Sequence, residues 1–241
     1  MTTASTPVTV STTSKARAGS PTGRQKPGRQ KLGPRDKAGR VHELLTEIYP
    51  EAVCELNFTN PLELTVATVL SAQCTDERVN QVTPELFSKY PSAADYAAAD
   101  RGELEALLRP LGFQRAKAGH LIGMGEALEA HFGGEVPQGI EELTSLPGVG
   151  RKTALVVRGN AFGLPGLTVD THVTRVCTRL GLTTAKTPLA IEKEVAAQLD
   201  EAELTDFSHR VILHGRRVCT ARKPQCGACI LAELCPSADE A

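Results

Sequence analysis

The sequence predicts an all-α fold for this 241-residue chain, on three observations. Apolar side chains recur at helical spacing through most of it. Glycine and proline break that pattern at short intervals. No convincing run alternates with period two, and Leu167-Thr168-Val169 is too short to count as a strand.

The elements follow in order. Residues 1–38 are rich in Ser, Thr, Gly, Pro, Lys and Arg with hardly a large apolar side chain, so a disordered basic tail is expected. Val41, Leu44, Leu45 and Ile48 then form one helical stripe at i, i+3, i+4 and i+7, stopped by Pro50. Asn60-Pro61 opens the next helix with an N-cap and a first-turn proline, and Leu62, Val66, Val69 and Leu70 line one face. Further helices are expected at about 76–81, 84–90, 101–109, 114–132, 139–145, 150–162, 171–180, 188–199 and 205–218. Pro91, Pro110, Gly133-Gly134, Pro165 and Gly181 separate them. No repeat of fixed period is present.

Charge is distributed unevenly. Residues 1–40 hold nine Lys and Arg against Asp36 alone, a net of +8, so the total of −1 leaves −9 for the rest. A basic arm on an acidic body suits a polyanion such as nucleic acid. Composition alone does not choose between that and a solubilising tail. No apolar run is long enough to span a membrane, and the first residues lack the pattern of a secretory signal. A cytoplasmic protein is expected, nucleoid-associated if bacterial. Organellar targeting by the Arg- and Ser-rich start is the alternative.

Seven cysteines are an odd count without a secretion signal, which argues against a disulfide framework. Cys54, Cys74 and Cys177 lie singly on apolar stretches and read as small core residues. The other four follow the spacing Cys219-x6-Cys226-x2-Cys229-x5-Cys235. Four thiolates that close can enclose one metal centre, and spacing alone leaves structural zinc open beside iron–sulfur.

Between two helices stands Leu146-Pro147-Gly148-Val149-Gly150, followed by Arg151-Lys152-Thr153-Ala154. Two glycines around one apolar residue allow a tight reversal and bring bare backbone close to a ligand, with Val149 packed inward. The free N–H groups of the following helix then face outward with the positive end of its dipole behind them, a site for a DNA phosphate. A lone GxG would be read as an ordinary helix–helix turn. Pro147, Gly148, Gly150, Arg151 and Lys152 together favour the phosphate grip.

Lys152 lies in the first turn of that helix, a poor place for a cation. The dipole costs about 0.3–1 kcal/mol there, and adjacent Arg151 adds repulsion. Both favour the neutral amine that can attack carbon. Asp170, in Leu167-Thr168-Val169-Asp170-Thr171-His172-Val173, reads locally as an N-cap. It follows the lysine by one helix and a connector, a length that can fold the two together. A carboxylate there is catalytic if it accepts a proton or steadies positive charge on a sugar as a base departs.

These residues, in this order, resemble the endonuclease III family of DNA glycosylases, from about Val41 to Pro236. The likeness includes Glu55-Leu56-Asn57-Phe58, Leu70-Ser71-Ala72-Gln73 with Thr75-Asp76, the hairpin, Val169-Asp170-Thr171-His172, Ile212-Leu213-His214-Gly215-Arg216 and the four cysteines. The resemblance implies two helical lobes with a DNA cleft between them. A six-helix lobe over 54–164 carries the hairpin. The iron–sulfur lobe joins residues 39–53 to 165–241.

It further implies a base-excision glycosylase and abasic-site lyase, acting as a monomer on double-stranded DNA with a damaged pyrimidine or an abasic site. Lys152 would be the nucleophile and Asp170 the catalytic carboxylate. Cys219, Cys226, Cys229 and Cys235 would hold a [4Fe–4S] cluster. The cluster's expected task is to fix the loop that presents Arg222 and Lys223 to phosphates, with Arg216 and Arg217 adding to a basic face.

Gln73 and the turn after Leu111-Gly112 resemble the elements that enter the base stack to fill the vacated space. Phe113 stands where the family usually has leucine, and Leu155 where it usually has asparagine. The rivals are a relative that activates water, which needs no lysine at position 152, and a DNA-binding module without catalysis, which needs neither Lys152 nor Asp170. The adenine-specific relatives carry a further C-terminal domain, whereas this chain stops shortly after Pro236.

Overall fold

The computed structural model describes residues 32–239, which fall in one compact unit from Lys31 to Ala241. Most of the expected disordered tail lies outside the described residues, and its boundary at 38 is corrected. Helix α1 spans Pro34–Ile48, with proline in its first turn and Ala38, Val41 and Leu45 buried. Arg35 pairs with Asp200 at 2.5 Å, Lys37 donates to the carbonyl of Leu180, and Arg40 pairs with Glu43 at 2.8 Å. These three cations belong to the folded body.

The chain continues through α2 (Pro61–Leu70), α3 (Asp76–Lys89), α4 (Ala93–Ala97), α5 (Arg101–Leu108) and α6 (Gln114–Phe132). Then come α7 (Ile140–Ser145), α8 (Arg151–Ala161), α9 (Thr171–Leu180), α10 (Pro188–Ala196) and α11 (Leu204–Arg217). No strand occurs among the described residues. Side-chain caps set many of the starts: Asn60 accepts from the Glu63 N–H, Asp100 from Glu103, and Ser92 forms a reciprocal box with Asp95. Each such cap is worth about 1 kcal/mol.

Two expectations differ. The helices expected on either side of residues 82–83 are one, because Pro84 lies on the exposed face of α3 while Val79, Val82, Thr83 and Leu86 continue the buried stripe across it. An internal proline costs about 3 kcal/mol, which burial of several apolar side chains offsets. The short α4 has no counterpart in the sequence reading.

Buried side chains form two separate cores. One runs from Leu56 to Val157 and is built by α2 to α8, with Tyr96, Leu104, Leu121 and Met124 fully enclosed. Six of those helices have six residues or more, and α4 is the seventh. The other unites α1 with α9, α10, α11 and the cysteine segment, around Val41, Phe207 and Val211. Ion pairs from two arginines join the cores. Arg216 on α11 binds Glu55 and lies 3.6 Å from Asp76, while Arg151 on α8 forks onto Glu192 of α10 at 2.7 and 2.8 Å.

Candidate active site and cysteine centre

The groove where the cores meet encloses a cavity of about 360 Å³. Gln73, Cys74, Lys152 and Thr153 line it from one side, and Asp170, Ser208, Ile212 and Arg216 from the other. The two residues singled out for chemistry therefore share one cleft, each at the N-terminus of a helix. Asp170 is the N-cap of α9, and its Oδ1 accepts from the N–H groups of His172 and Val173, both at 2.8 Å. Oδ2 takes part in neither bond. The preceding strand-like segment is pinned by the Thr168 N–H, which donates to Ser208 Oγ at 2.9 Å.

Lys152 is exposed to the cleft and has no hydrogen-bond or ion-pair partner among the described residues. Its amine is thus not tied to Asp170. The repulsion expected from Arg151 is corrected, because the bidentate bond to Glu192 offsets that charge. The same bond commits the Arg151 guanidinium to the protein.

The hairpin has the expected form. Val149 is buried, and its N–H donates to the Leu146 carbonyl at 3.0 Å. Gly148 has φ +81°, and a Cβ there would meet His120 Cβ at 2.9 Å. Gly150 differs: its φ is −90°, open to any residue, and nothing lies within 4 Å of a Cβ built on it. No side chain caps α8, so its first amides face that open space.

Gln73 and Phe113 are the only non-glycine residues with positive φ among the described residues, at +55° and +51°. Left-handed backbone at such residues costs about 1–3 kcal/mol and persists where the surrounding fold dictates it. Gln73 lies in the cleft. Phe113 is not in its lining but projects from the turn before α6, 62% exposed, a large apolar ring left in solvent.

Of the three single cysteines, Cys177 is core as expected. Cys54 and Cys74 pack half-buried against the first core, where they also line the cleft. Leu155 is buried in α8, and its carbonyl would lie 3.2 Å from a Cβ at Gly166. Position 155 therefore serves packing here, not a polar contact.

All four C-terminal cysteines line one cavity of about 430 Å³, with no carboxylate among the described residues of its wall. Among the described residues no three ligand side chains are close enough to hold a single metal ion. Four thiols around a wider space fit a multi-iron cluster better than one zinc. Burial pushes the Cys229 and Cys235 thiols up, so ionised sulfur there needs positive charge beside it, which bound iron supplies. Arg179 donates to Cys219 Sγ at 3.3 Å. Burial also pushes the His214 imidazole down to about 4, keeping it neutral beside Cys229 Sγ at 3.5 Å.

The 219–226 loop is fastened from α9. Arg179 binds the carbonyls of Thr220 and Ala221 at 2.8 and 2.9 Å, and Arg175 those of Cys219 and Gly215 at 3.0 and 2.9 Å. Arg222 and Lys223 are exposed on the fastened loop, at the wall of the cysteine cavity. Of the basic face expected from Arg216 and Arg217, Arg216 is corrected, being paired across the cleft, while Arg217 is exposed with its guanidinium over the Tyr49 ring, 5.7 Å from the centroid.

Sequence reasoning missed Glu192 and the structural roles of Arg175 and Arg179. Their partners are distant in the chain, and no local pattern marks them. A regular four-residue spacing of Arg175 and Arg179 on one side of a helix was the available signal.

Comparison with known proteins fixes the class. Residues 66–207 match the model of the HhH-GPD superfamily base excision DNA repair proteins, and residues 219–235 match the iron–sulfur binding domain of endonuclease III. The fold and the cleft are thus those of a base-excision DNA repair glycosylase. An endonuclease III of Synechocystis sp. is 50% identical over 211 residues, covering 87% of this chain and 96% of that protein. Two solved structures, a non-covalent endonuclease III–DNA complex and a trapped endonuclease III–DNA covalent intermediate with an estranged adenine, superpose with TM-score 0.81. Each is 42% identical and covers 86% of this chain and 97% of the other. The chain belongs to the endonuclease III family, and its cofactor is a [4Fe–4S] cluster.

Proposed function

We propose that this glycosylase excises oxidised pyrimidines from double-stranded DNA and then cleaves the strand 3′ to the abasic site, with Lys152 as nucleophile. One observation carries the reading: an unpaired lysine and a carboxylate, at the starts of α8 and α9, line a single cleft between the two cores. The solved DNA complex and trapped covalent intermediate of relatives support DNA as the partner and a covalent step.

The damaged nucleotide swings out of the duplex into the cleft, which costs less for a ring that stacks poorly. The neutral Lys152 amine attacks C1′, and the glycosidic bond breaks with its electron pair leaving on the base. Asp170 takes the proton that the lysine nitrogen gives up and steadies the positive sugar as the base departs. The sugar ring then opens as O4′ takes a proton, leaving an iminium between Lys152 and C1′. The iminium acidifies C2′. Loss of that proton expels the 3′ phosphate by β-elimination, so one lysine serves both cuts.

Gly148, Val149, Gly150 and the backbone of Arg151 form the phosphate grip, with the Arg151 side chain held back by Glu192. Gln73 and Phe113 fill the space left in the stack. Cys219, Cys226, Cys229 and Cys235 hold the cluster, which when bound supplies a rigid covalent frame for the loop. Arg222 and Lys223 on that loop meet phosphates with little ordering cost. The residues of 54–164 form the hairpin lobe, and those of 34–53 with 165–241 the iron–sulfur lobe. The protein works as a monomer at the nucleoid of a bacterial cytoplasm.

Borohydride trapping on thymine-glycol duplex tests the reading. A covalent adduct is expected with the native protein and none with Lys152→Gln. Asp170→Asn keeps a capping side chain, so it is expected to fold and bind DNA yet react about 100-fold or more slowly. An adduct with Lys152→Gln would remove the lysine from the mechanism, and a native rate for Asp170→Asn would remove the aspartate.

A further inference from the structure

Lys117 takes no part in the steps above, yet the fold buries it to 4% exposure on α6. Its Nζ donates to the Leu111 carbonyl at 3.0 Å, and its backbone N–H donates to the Phe113 carbonyl, also at 3.0 Å. The two acceptors flank Gly112. Gly112 and Phe113 are consecutive residues with φ of +69° and +51°, so the turn that lifts Phe113 into solvent is held in an unfavourable conformation. Lys117 therefore bonds directly behind the turn that carries Phe113. Burial pushes the ammonium below the ordinary lysine range.

We propose that Lys117 is a positioning residue for lesion extrusion: its side chain fixes the Leu111–Phe113 turn so that the Phe113 ring is held ready to occupy the gap left by the everted nucleotide. The proposal rests on the reading of Phe113 as the wedge. Without the ammonium, the Leu111 carbonyl loses its partner and Phe113 is free to relax toward negative φ, carrying the ring away from the duplex. The cost then falls on leaving the stack, not on attack at C1′. Methionine matches the lysine in length and apolar stem but cannot donate, which isolates the bond.

The experiment compares Lys117→Met, Lys117→Arg, Phe113→Ala and the double variant Lys117→Met/Phe113→Ala. Single-turnover excision is followed on thymine-glycol duplex, and strand cleavage on a single-stranded abasic oligonucleotide, where nothing must leave a stack. Fluorescence of 2-aminopurine beside the lesion reports extrusion itself. Lys117→Met is expected to slow duplex excision and the fluorescence rise about tenfold, with cleavage of the single strand within twofold of native. Lys117→Arg retains a donor and should stay within threefold on duplex. In the Phe113→Ala background, Lys117→Met should add nothing. If Phe113→Ala extrudes at the native rate, the wedge reading itself is lost. If Phe113→Ala is slow but Lys117→Met is native, or slows both substrates equally, the positioning role is overturned. Should Lys117→Met fail to fold in thermal unfolding, the same comparison is made with Lys117→Leu.

Discussion

The hairpin glycines do different work although they look alike in the chain. Gly148 is demanded by the protein, because its φ is positive and a Cβ would press on His120. Gly150 adopts backbone angles open to any residue, with empty space before it. Two alanine substitutions separate these causes. Gly148→Ala should lose about 1–3 kcal/mol of stability, read as a fall of several degrees in Tm, with DNA affinity falling as well. Gly150→Ala should melt within a degree or two of native yet bind duplex at least tenfold more weakly, since the new methyl occupies the place of a phosphate. Equal melting losses in both variants would show that Gly150 serves packing.

Lys152 and Asp170 were legible as residues of interest because helix starts are visible in sequence and a cation at one is out of place. Their meeting was not. It depends on two cores docking, and the resemblance to a family supplied that step. The committed state of Arg151 was hidden for the same reason: Glu192 is 41 residues away and belongs to the other core.

Among the elements, α9 connects the reaction site to the cysteine centre. Asp170 caps its first turn, and Arg175 and Arg179 reach from its later turns to three carbonyls and one sulfur of the cysteine segment and to the Gly215 carbonyl of α11. Hydrogen bonds from a charged donor to partly buried carbonyls contribute about 1.5–3 kcal/mol each. Arg179→Ala is therefore expected to speed the loss of visible cluster absorbance under a chelator and to lower Tm by several degrees. DNA affinity should fall through the loosened Arg222–Lys223 loop, while the rate of trapping at saturating DNA stays near native. Unchanged bleaching would mean that the clamp is incidental. The helices themselves were largely foreseen from periodicity and caps. Their failures were local: two helices were expected over 76–81 and 84–90 where α3 runs through with Pro84 on its solvent face, and α4 is too short to show a period.

At the scale of the molecule, an acidic folded body bears the cleft proposed for catalysis, and residues 1–31 carry six Lys and Arg with no acidic side chain. If that segment grips DNA without sequence preference, its removal should weaken binding most at low salt. The slope of log affinity against log salt would flatten by up to about 5, at roughly 0.9 per released counterion. Trapping at saturating DNA should be unaffected. An unchanged slope would assign the charge to solubility alone.

By itself, the sequence determined the all-α class, most helix positions, the hairpin turn and the four-cysteine set, because each of these is written in local spacing and turn chemistry. Only the tertiary structure decided that Lys152 and Asp170 open on one cavity, that Arg151 and Arg216 are spent on pairs between the cores, and that Lys117 lies buried behind Phe113. Such facts arise from contacts between segments far apart in the chain, where burial and charge pairing are settled by packing and leave no periodic trace in the sequence.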